Sequence, residues 1–573
     1  MFEFKIVQNS QGKIAHIETA LSGNNLLNSP QLNKGCAFTP EEREQFQLTG
    51  LLPHGIETLE QQTHRMYQQY QAQPTQLGKN NYLNLLHDEN ETLFYKLVTD
   101  HLDEMLPIIY TPTVSEAVEH FSIEHRNPRG LYISYTERDH IDAILEQRLS
   151  AKVDLIVATD GEGVLGIGDQ GIGGMHIASS KLMVYTLAAG INPYRTLPVQ
   201  LDMGTNNQHL LNDPTYLGWR HERITGQAYD DFIDAFVQVI RKKLPQVFLH
   251  WEDLGRDNAR RVLERYREQM LTINGDIQGT GTTVVGCILA ATTLSTLRLT
   301  EHRIVIFGAG TAGIGIADEL TAALQRHGLS AAEAKTRLWL IDKEGLLTTA
   351  TPALSPGQKT YARAEEEITH WQLAGATQSI GLHEVVNQVK PTILIGVAAV
   401  AAAFTETVIA TMAAHVEHPI IMPLSNPTAK SEATPDDLLR WTQGKAIIAT
   451  GGPFPDVFFN QRTIRIAQSN NAFAFPGIGL GVIAAKAKRL TDEMMWAAAK
   501  ALGASSPVHQ DKHAPLLPKM SETRLTNLEI AHAIAIEARQ AGLAQLDENI
   551  SIETAINQAS WEPQYYPYRR KIK

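Results

Sequence analysis

Four short apolar runs between residues 152 and 280 each close on an acid: VDLIVATDG at Asp160, TLPVQLDMG at Asp202, QVFLHWEDLG at Glu252 and Asp253, and MLTINGDIQG at Asp276. A carboxylate at the end of a strand has two common uses. It caps the next turn or helix by accepting backbone N–H bonds, or it joins other acids around a hard cation, since several buried like charges are costly without a counter-charge. Asp160 and Asp202 read as caps. Glu252, Asp253 and Asp276 read as an oxygen ligand set, and with no His or Cys at ligand spacing the cation is Mn²⁺ or Mg²⁺ rather than Zn²⁺. A second motif, Gly308-x-Gly310-x-x-Gly313, directly follows the apolar run RIVIF. That is the context of a dinucleotide fingerprint, whose amides hold a pyrophosphate at a helix N-terminus. Asp342 ends the next run, RLWLID, where it would accept from a ribose 2′-OH and repel a 2′-phosphate, which selects NAD over NADP. Its distance from the glycines exceeds the usual ~20 residues, so a longer intervening helix is required. The glycines of 161–174 lack GK[ST] and read as places of close backbone approach.

These residues need sheets to bring them together. From about Lys152 onward, β-branched runs ending in Gly or Asp alternate with helical segments, which predicts an α/β fold with a mainly parallel sheet. A second series of the same kind (RIVIFGAG, RLWLID, PTILIGV, HPIIMPLSNP, AIIATGG) predicts a Rossmann-type NAD-binding domain. The first ~125 residues carry helical periodicity, with Leu93, Leu97, Leu102 and Met105 near one face, and few strand-like runs. The chain turns helical again after PGIGLGV. The organisation expected is a helical N-terminal domain (1–125), an α/β substrate- and metal-binding domain (126–275 with 468–545), the NAD-binding domain (276–467) and a C-terminal tail (546–573). The tail's aromatic residues, Trp561 to Tyr568, suit contact with another surface and so predict a homo-oligomer, a dimer or tetramer.

Composition narrows the function. The 573 residues carry a formal charge of −12 with no basic block, which speaks against nucleic acid as a partner. Two cysteines, Cys36 and Cys287, are too few for a disulfide framework and suit a reducing, cytoplasmic setting. The N-terminus lacks a basic n-region and a continuous apolar h-region, so no signal peptide is expected. The uncharged stretch Ile277–Leu297 is interrupted by Thr, Gly and Gln, and reads as a buried helix rather than a membrane span.

Several further motifs resemble the malic enzyme family, over a stretch from LNKGCAFTPEER almost to the C-terminus: IYTPTV at Tyr110, TDGEGVLGIGDQG, SKLMVYTLAAGI at Lys181, LDMGTNNQHLLNDPTYLG, HWEDLGRDNA, DIQGT, GAGTAGIGIA, PLSNPT and NNAFAFPG. The resemblance implies L-malate as substrate. It implies Lys181 as the general base at the C2 hydroxyl, Tyr110 as the acid that protonates C3, and Glu252, Asp253 and Asp276 as metal ligands. It also implies Asn426, Asn470 and Asn471 as contacts to substrate, with Asn426 and Asn471 reaching the nicotinamide end. Without the resemblance, Lys181 reads as a solvent-facing helix residue and Tyr110 as an ordinary tyrosine before a proline turn. HWEDLGR, DIQGTG and GTAGIGIAD resemble malolactic enzymes, whereas GDQGIGGM and ISYTERDH resemble bacterial NAD-dependent malic enzymes. Two positions depart from the family. Gly163 stands where an Arg holds a substrate carboxylate, and Gly275 stands where an acid lies beside the lysine. The first favours decarboxylation of malate to lactate, in the malolactic manner, over the alternative, oxidative decarboxylation to pyruvate and NADH. The second removes a negative charge and should lower the pKa of Lys181.

Overall fold

The computed structural model describes residues 4–9, 14–127, 129–148, 152–371 and 379–571. It opens on an antiparallel hairpin, β1 (Phe4–Gln8) and β2 (Ile14–Thr19), where helix alone was expected. Helices follow: Leu59–Gln71, Gln76–Glu89, Glu91–Asp100 and Leu102–Ile109. The periodic stretch containing Leu93 and Met105 is thus two helices that meet at His101. The second of them delivers Tyr110.

The first series of runs forms a parallel sheet of β3 (Leu131–Ser134), β4 (Leu155–Thr159), β5 (Thr196–Asp202), β6 (Phe248–Trp251) and β7 (Thr272–Asn274), in the order β3-β5-β4-β6-β7. All residues of β4, β6 and β7 are buried, as expected of parallel strands covered on both faces. One covering element is the helix Met175–Ala189, which packs against β4 and β5 on one side and the helix Phe475–Ala485 on the other. Apolar residues surround nearly its whole circumference, so Lys181 lies inside the protein at 0% exposure rather than facing solvent.

The second series forms β8 (Ile304–Phe307), β9 (Leu338–Asp342), β10 (Gly345–Leu346), β11 (Ile393–Gly396), β12 (Ile420–Pro423) and β13 (Ile447–Thr450). After a hairpin, β14 (Val457–Phe459) and β15 (Arg462–Ile464), comes β16 (Ala467–Gln468). The sheet order is β10-β9-β8-β11-β12-β13-β16, parallel except for β10 against β9. Strand order reverses at β8, and the C-terminal ends of β8 and β11 form the switch point where α/β sheets bind ligands. The long spacing to Asp342 is taken up by two helices, Thr311–Arg326 and Ala331–Thr336.

A buried helix, Thr280–Thr292, joins the sheets and lies against Thr311–Arg326 and Asp492–Ala504. Among the described residues no helix is long and apolar enough to cross a membrane. The chain ends on β17 (Tyr568–Arg570), parallel to β2. Here the tail reading needs correction: Trp561 and Tyr568 are 2% and 7% exposed against the protein's own N-terminal region, so they leave no apolar patch for a second copy.

Candidate active site

Parallel pairing of β4, β6 and β7 puts their C-terminal ends side by side, and so gathers the acids. Glu252 and Asp253 follow β6 directly. Asp276 lies in one wide π-type turn, Gly275–Gly279, between β7 and the buried linking helix. One oxygen from each of Glu252, Asp253 and Asp276 lies within 4.8 Å of the others. Asp276 also accepts from the Asp253 amide at 2.9 Å. Asp253 has a left-handed backbone (φ 52°), as does Leu165 opposite (φ 43°), and such conformations persist only where the surroundings enforce them. Asp160 and Asp202 stay out of this cluster. Asp160 accepts from the Glu162 amide (2.9 Å) and the Tyr229 hydroxyl (2.8 Å), and Asp202 from the amides of Gly204 (3.2 Å) and Trp219 (2.7 Å).

Lys181 reaches the cluster from the buried helix. Its Nζ is 2.5 Å from Glu252 Oε1, donates to the Tyr110 hydroxyl at 2.8 Å, and lies 3.4 Å from Asn471 Oδ1. The Phe475 ring covers it, centroid at 4.5 Å. Burial disfavours charge on Glu252, but the Lys181 ammonium and a hydrogen bond from His250 outweigh it and hold this carboxyl at about 2. Burial and Glu252 push Asp276 up to about 7, and burial with Asp276 pushes Asp253 well above the carboxylate range. Tyr110 is raised to about 12, mainly by burial. For Lys181 itself, burial lowers the pKa but Glu252 and its neighbours overcome this and raise it. The acid expected beside the lysine is absent at Gly275, and Glu252 supplies the nearest negative charge instead. Glu252 occupies the space beside Gly275, where a Cβ would overlap both its Oε2 and His250 Nε2.

Three buried acids beside one ammonium cannot all ionise without a further cation, which is why Asp253 and Asp276 are pushed up, and Asp253 Oδ2 has no hydrogen-bond partner. An oxygen-liganded divalent cation fits this arrangement. Across a cleft of about 210 Å³ stands the glycine turn of the second sheet. Gly308 has φ 110°, a Cβ at Gly313 would overlap the Gly308 carbonyl, and nothing lies within 4 Å of a Cβ at Gly310. The open side at Gly310 and the start of the helix at Thr311 are what a pyrophosphate needs. Asp342 accepts from Gln358 Nε2 at 2.8 Å through Oδ2. Asn426 lines the cleft with a buried Oδ1 that has no partner. Asn470 lines it too, although its side chain accepts from the Ala472 amide (2.9 Å) and so shapes the turn that carries Asn471.

Two family models match the chain: "Malic enzyme, N-terminal domain" over residues 87–267 and "Malic enzyme, NAD binding domain" over residues 277–539. The chain belongs to the malic enzyme family. Among its relatives, NAD-dependent malic enzyme 3 of Bacillus subtilis is 50% identical, the match spanning 96% of this chain and 98% of that protein. The NAD-dependent malic enzyme of Sodalis glossinidius is 48% identical over 95% of this chain and 96% of its own length. The solved malic enzyme of Entamoeba histolytica shares the fold at TM-score 0.55 and 20% identity, covering 89% of this chain and 90% of its own.

The position of Gly163 is also packed: a Cβ there would lie 2.6 Å from the Leu254 carbonyl, so the loops after β4 and β6 meet backbone to backbone. Sequence reasoning overlooked several residues that shape the site. His250 precedes Glu252 by two residues, and the period of a strand puts both on one face, a signal the spacing alone carries. Tyr185 lies one turn beyond Lys181 on the same helix face. Glu432 is fully buried, bonds to Ser425 and accepts from the Ala398 amide (3.1 Å), tying together the ends of β11 and β12. Nothing in its sequence context marks it.

Proposed function

We propose that this chain is an NAD-dependent malic enzyme, converting L-malate and NAD to pyruvate, CO₂ and NADH. The observation that carries the reading is the contact of Lys181 with both Tyr110 (2.8 Å) and Glu252 (2.5 Å), which line a cleft together with Ala312 of the glycine turn. Lys181 removes the proton from the C2 hydroxyl as the C2 hydrogen leaves as hydride, and Tyr110 gives a proton to C3 of the enolate left after CO₂ departs. Lys181, donating to the Tyr110 hydroxyl, is placed to restore that proton. Gly308, Gly310 and Gly313 would hold NAD, with Asp342 near its ribose and Asn426 and Asn471 near its reacting end, and bound NAD would supply the hydride acceptor. Glu252, Asp253 and Asp276 would hold Mn²⁺ or Mg²⁺, which would supply electrophilic stabilisation and offset the charge of Glu252 that keeps the proton on Lys181.

The names of the Bacillus and Sodalis relatives favour release of pyruvate over its reduction to lactate. Product analysis with malate, NAD and Mn²⁺ decides the matter. Pyruvate and NADH in equal amounts are expected; lactate without NADH would restore the malolactic reading, and no turnover would remove both. A cytoplasmic setting, with Cys36 and Cys287 both free, belongs to the same reading. So does association as a dimer or tetramer, now on the resemblance alone, and sedimentation of a monomer at micromolar concentration would overturn it.

A further inference from the structure

Behind the acid cluster lies a run of contacts that the reaction itself does not call upon. Glu252 offers Oε1 to Lys181 (2.5 Å) and Oε2 to His250 Nε2 (2.7 Å), and His250 Nδ1 meets the Tyr185 hydroxyl at 2.7 Å. Lys181, Tyr185 and His250 have no measurable exposure, and Glu252 is 3% exposed. The carboxylate can only accept, so Nε2 carries the imidazole hydrogen and Nδ1 accepts from the tyrosine hydroxyl. That fixes one tautomer and one ring orientation. Tyr185 and Phe475 also meet the ring edge-on, each with its centroid 5.7 Å away, and they pack on each other at 4.7 Å.

Gly275 completes the arrangement. Any side chain there would enter the volume taken by Glu252 Oε2 and His250 Nε2. We infer that His250, oriented by Tyr185, is a positioning residue that holds Glu252 in the space left open at Gly275, so that one carboxylate serves both the lysine and the metal. This rests on the reading of Glu252 as a metal ligand. A residue that orients a ligating group through its remaining oxygen typically changes metal affinity by ~10–100-fold when lost.

The test uses the full chain and Mn²⁺ itself, with free Mn²⁺ measured by electron paramagnetic resonance. His250→Phe keeps an aromatic ring but cannot donate, whereas the amide of His250→Gln can. The expected result is an Mn²⁺ Kd raised roughly tenfold or more in His250→Phe, with most of the affinity regained in His250→Gln. In both, kcat should follow the metal while the Kd for NAD stays unchanged. Gly275→Ala should resemble His250→Phe by displacing the same two groups, and Tyr185→Phe should weaken Mn²⁺ binding to a smaller degree. If His250→Phe does not fold, Tyr185→Phe and Gly275→Ala decide. Variants with the parental Tm and NAD affinity whose Mn²⁺ Kd and kcat remain within twofold of the parent overturn the inference, as does a His250→Gln no better than His250→Phe. A parent chain that neither binds Mn²⁺ nor turns over malate removes the reading of the site and this inference with it. A parent that does both, with unaffected variants, removes only the inference.

Discussion

Asp276 accepts from the Asp253 amide through its side chain and adds one oxygen to the acid cluster, so its main part is in the cluster rather than in the core. Asp276→Ala should therefore leave Tm nearly unchanged and weaken Mn²⁺ binding by at least ~10-fold, with turnover at low Mn²⁺ lost in proportion. Near-normal turnover at low Mn²⁺ would show that the cation sits elsewhere. The three acids were legible because strand ends are recognisable and because oxygen ligands in such a group point to one kind of cation. Lys181 and Tyr110 were legible only through family resemblance. Nothing in their spacing says that one helix is apolar all round and the other ends at its neighbour. At Gly275 the missing charge could be read from the sequence, but the glutamate and histidine that fill the space beside it could not.

At the scale of elements, the ends of β8, β9 and β11 decide which cofactor fits. Asp342 closes β9, half-buried, with one oxygen bonded to Gln358, and a 2′-phosphate brought to it would meet a like charge in a partly desolvated place. The parent chain should have a much higher kcat/KM with NAD than with NADP, and Asp342→Ser should narrow the ratio by roughly tenfold, about 1.4 kcal/mol. Equal values in the parent would sink the assignment. The starts of the same strands carry a different prediction. His302, 1% exposed, bonds to Thr392 Oγ1 at 2.9 Å and thereby links the approaches to β8 and β11, while its Nε2 has no partner. Burial, then Arg303, lowers it from 6.5 to about 4. Between those values the unfolded chain binds a proton that the folded one refuses, so the stability from the neutral ring is complete above about 6.5 and is lost as pH falls toward 4, by at most ~1.4 kcal/mol per pH unit. His302→Gln should flatten the decline of Tm over that range; an unchanged slope would assign the decline to other groups. The strands themselves were readable from their apolar runs. The hairpin of β1 and β2 was not, nor was β17, which gains its partner β2 only from the opposite end of the chain.

That last pairing governs the molecule as a whole. Residues 4–100 lead into the helix that delivers Tyr110, and the C-terminal tail closes over them. Tyr568 lies at the centre of the closure. Its ring meets Phe38 and Phe46 edge-on at 5.9 and 6.3 Å, with Lys34 Nζ 3.8 Å from its centroid. Its amide donates to Glu42 Oε1 (2.9 Å) and its hydroxyl to the Leu32 carbonyl (3.0 Å), and Glu42 is paired with Lys34 at 2.6 Å. Farther back, Tyr565 donates to Gln62 Oε1 (2.8 Å) and accepts from Asn90 (2.7 Å). A buried ion pair is stable only while its surroundings stay dry and its hydrogen bonds are met, so removing the ring admits water to Lys34 and Glu42 as well as opening a cavity. Tyr568→Ala should cost about 3–5 kcal/mol locally, and Tyr568→Phe, which loses only the hydroxyl bond, about 1 kcal/mol. Hydrogen exchange distinguishes local release from global loss. In Tyr568→Ala the amides of β2 and of the segment around Leu32 should exchange much faster, while those of β8 and β11, in the other sheet, keep the protection of the parent. Unchanged protection of β2 would mean that the tail merely rests on the N-terminal region; equal loss in β8 and β11 would mean that the two ends of the chain are part of one cooperative unit with the NAD-binding sheet.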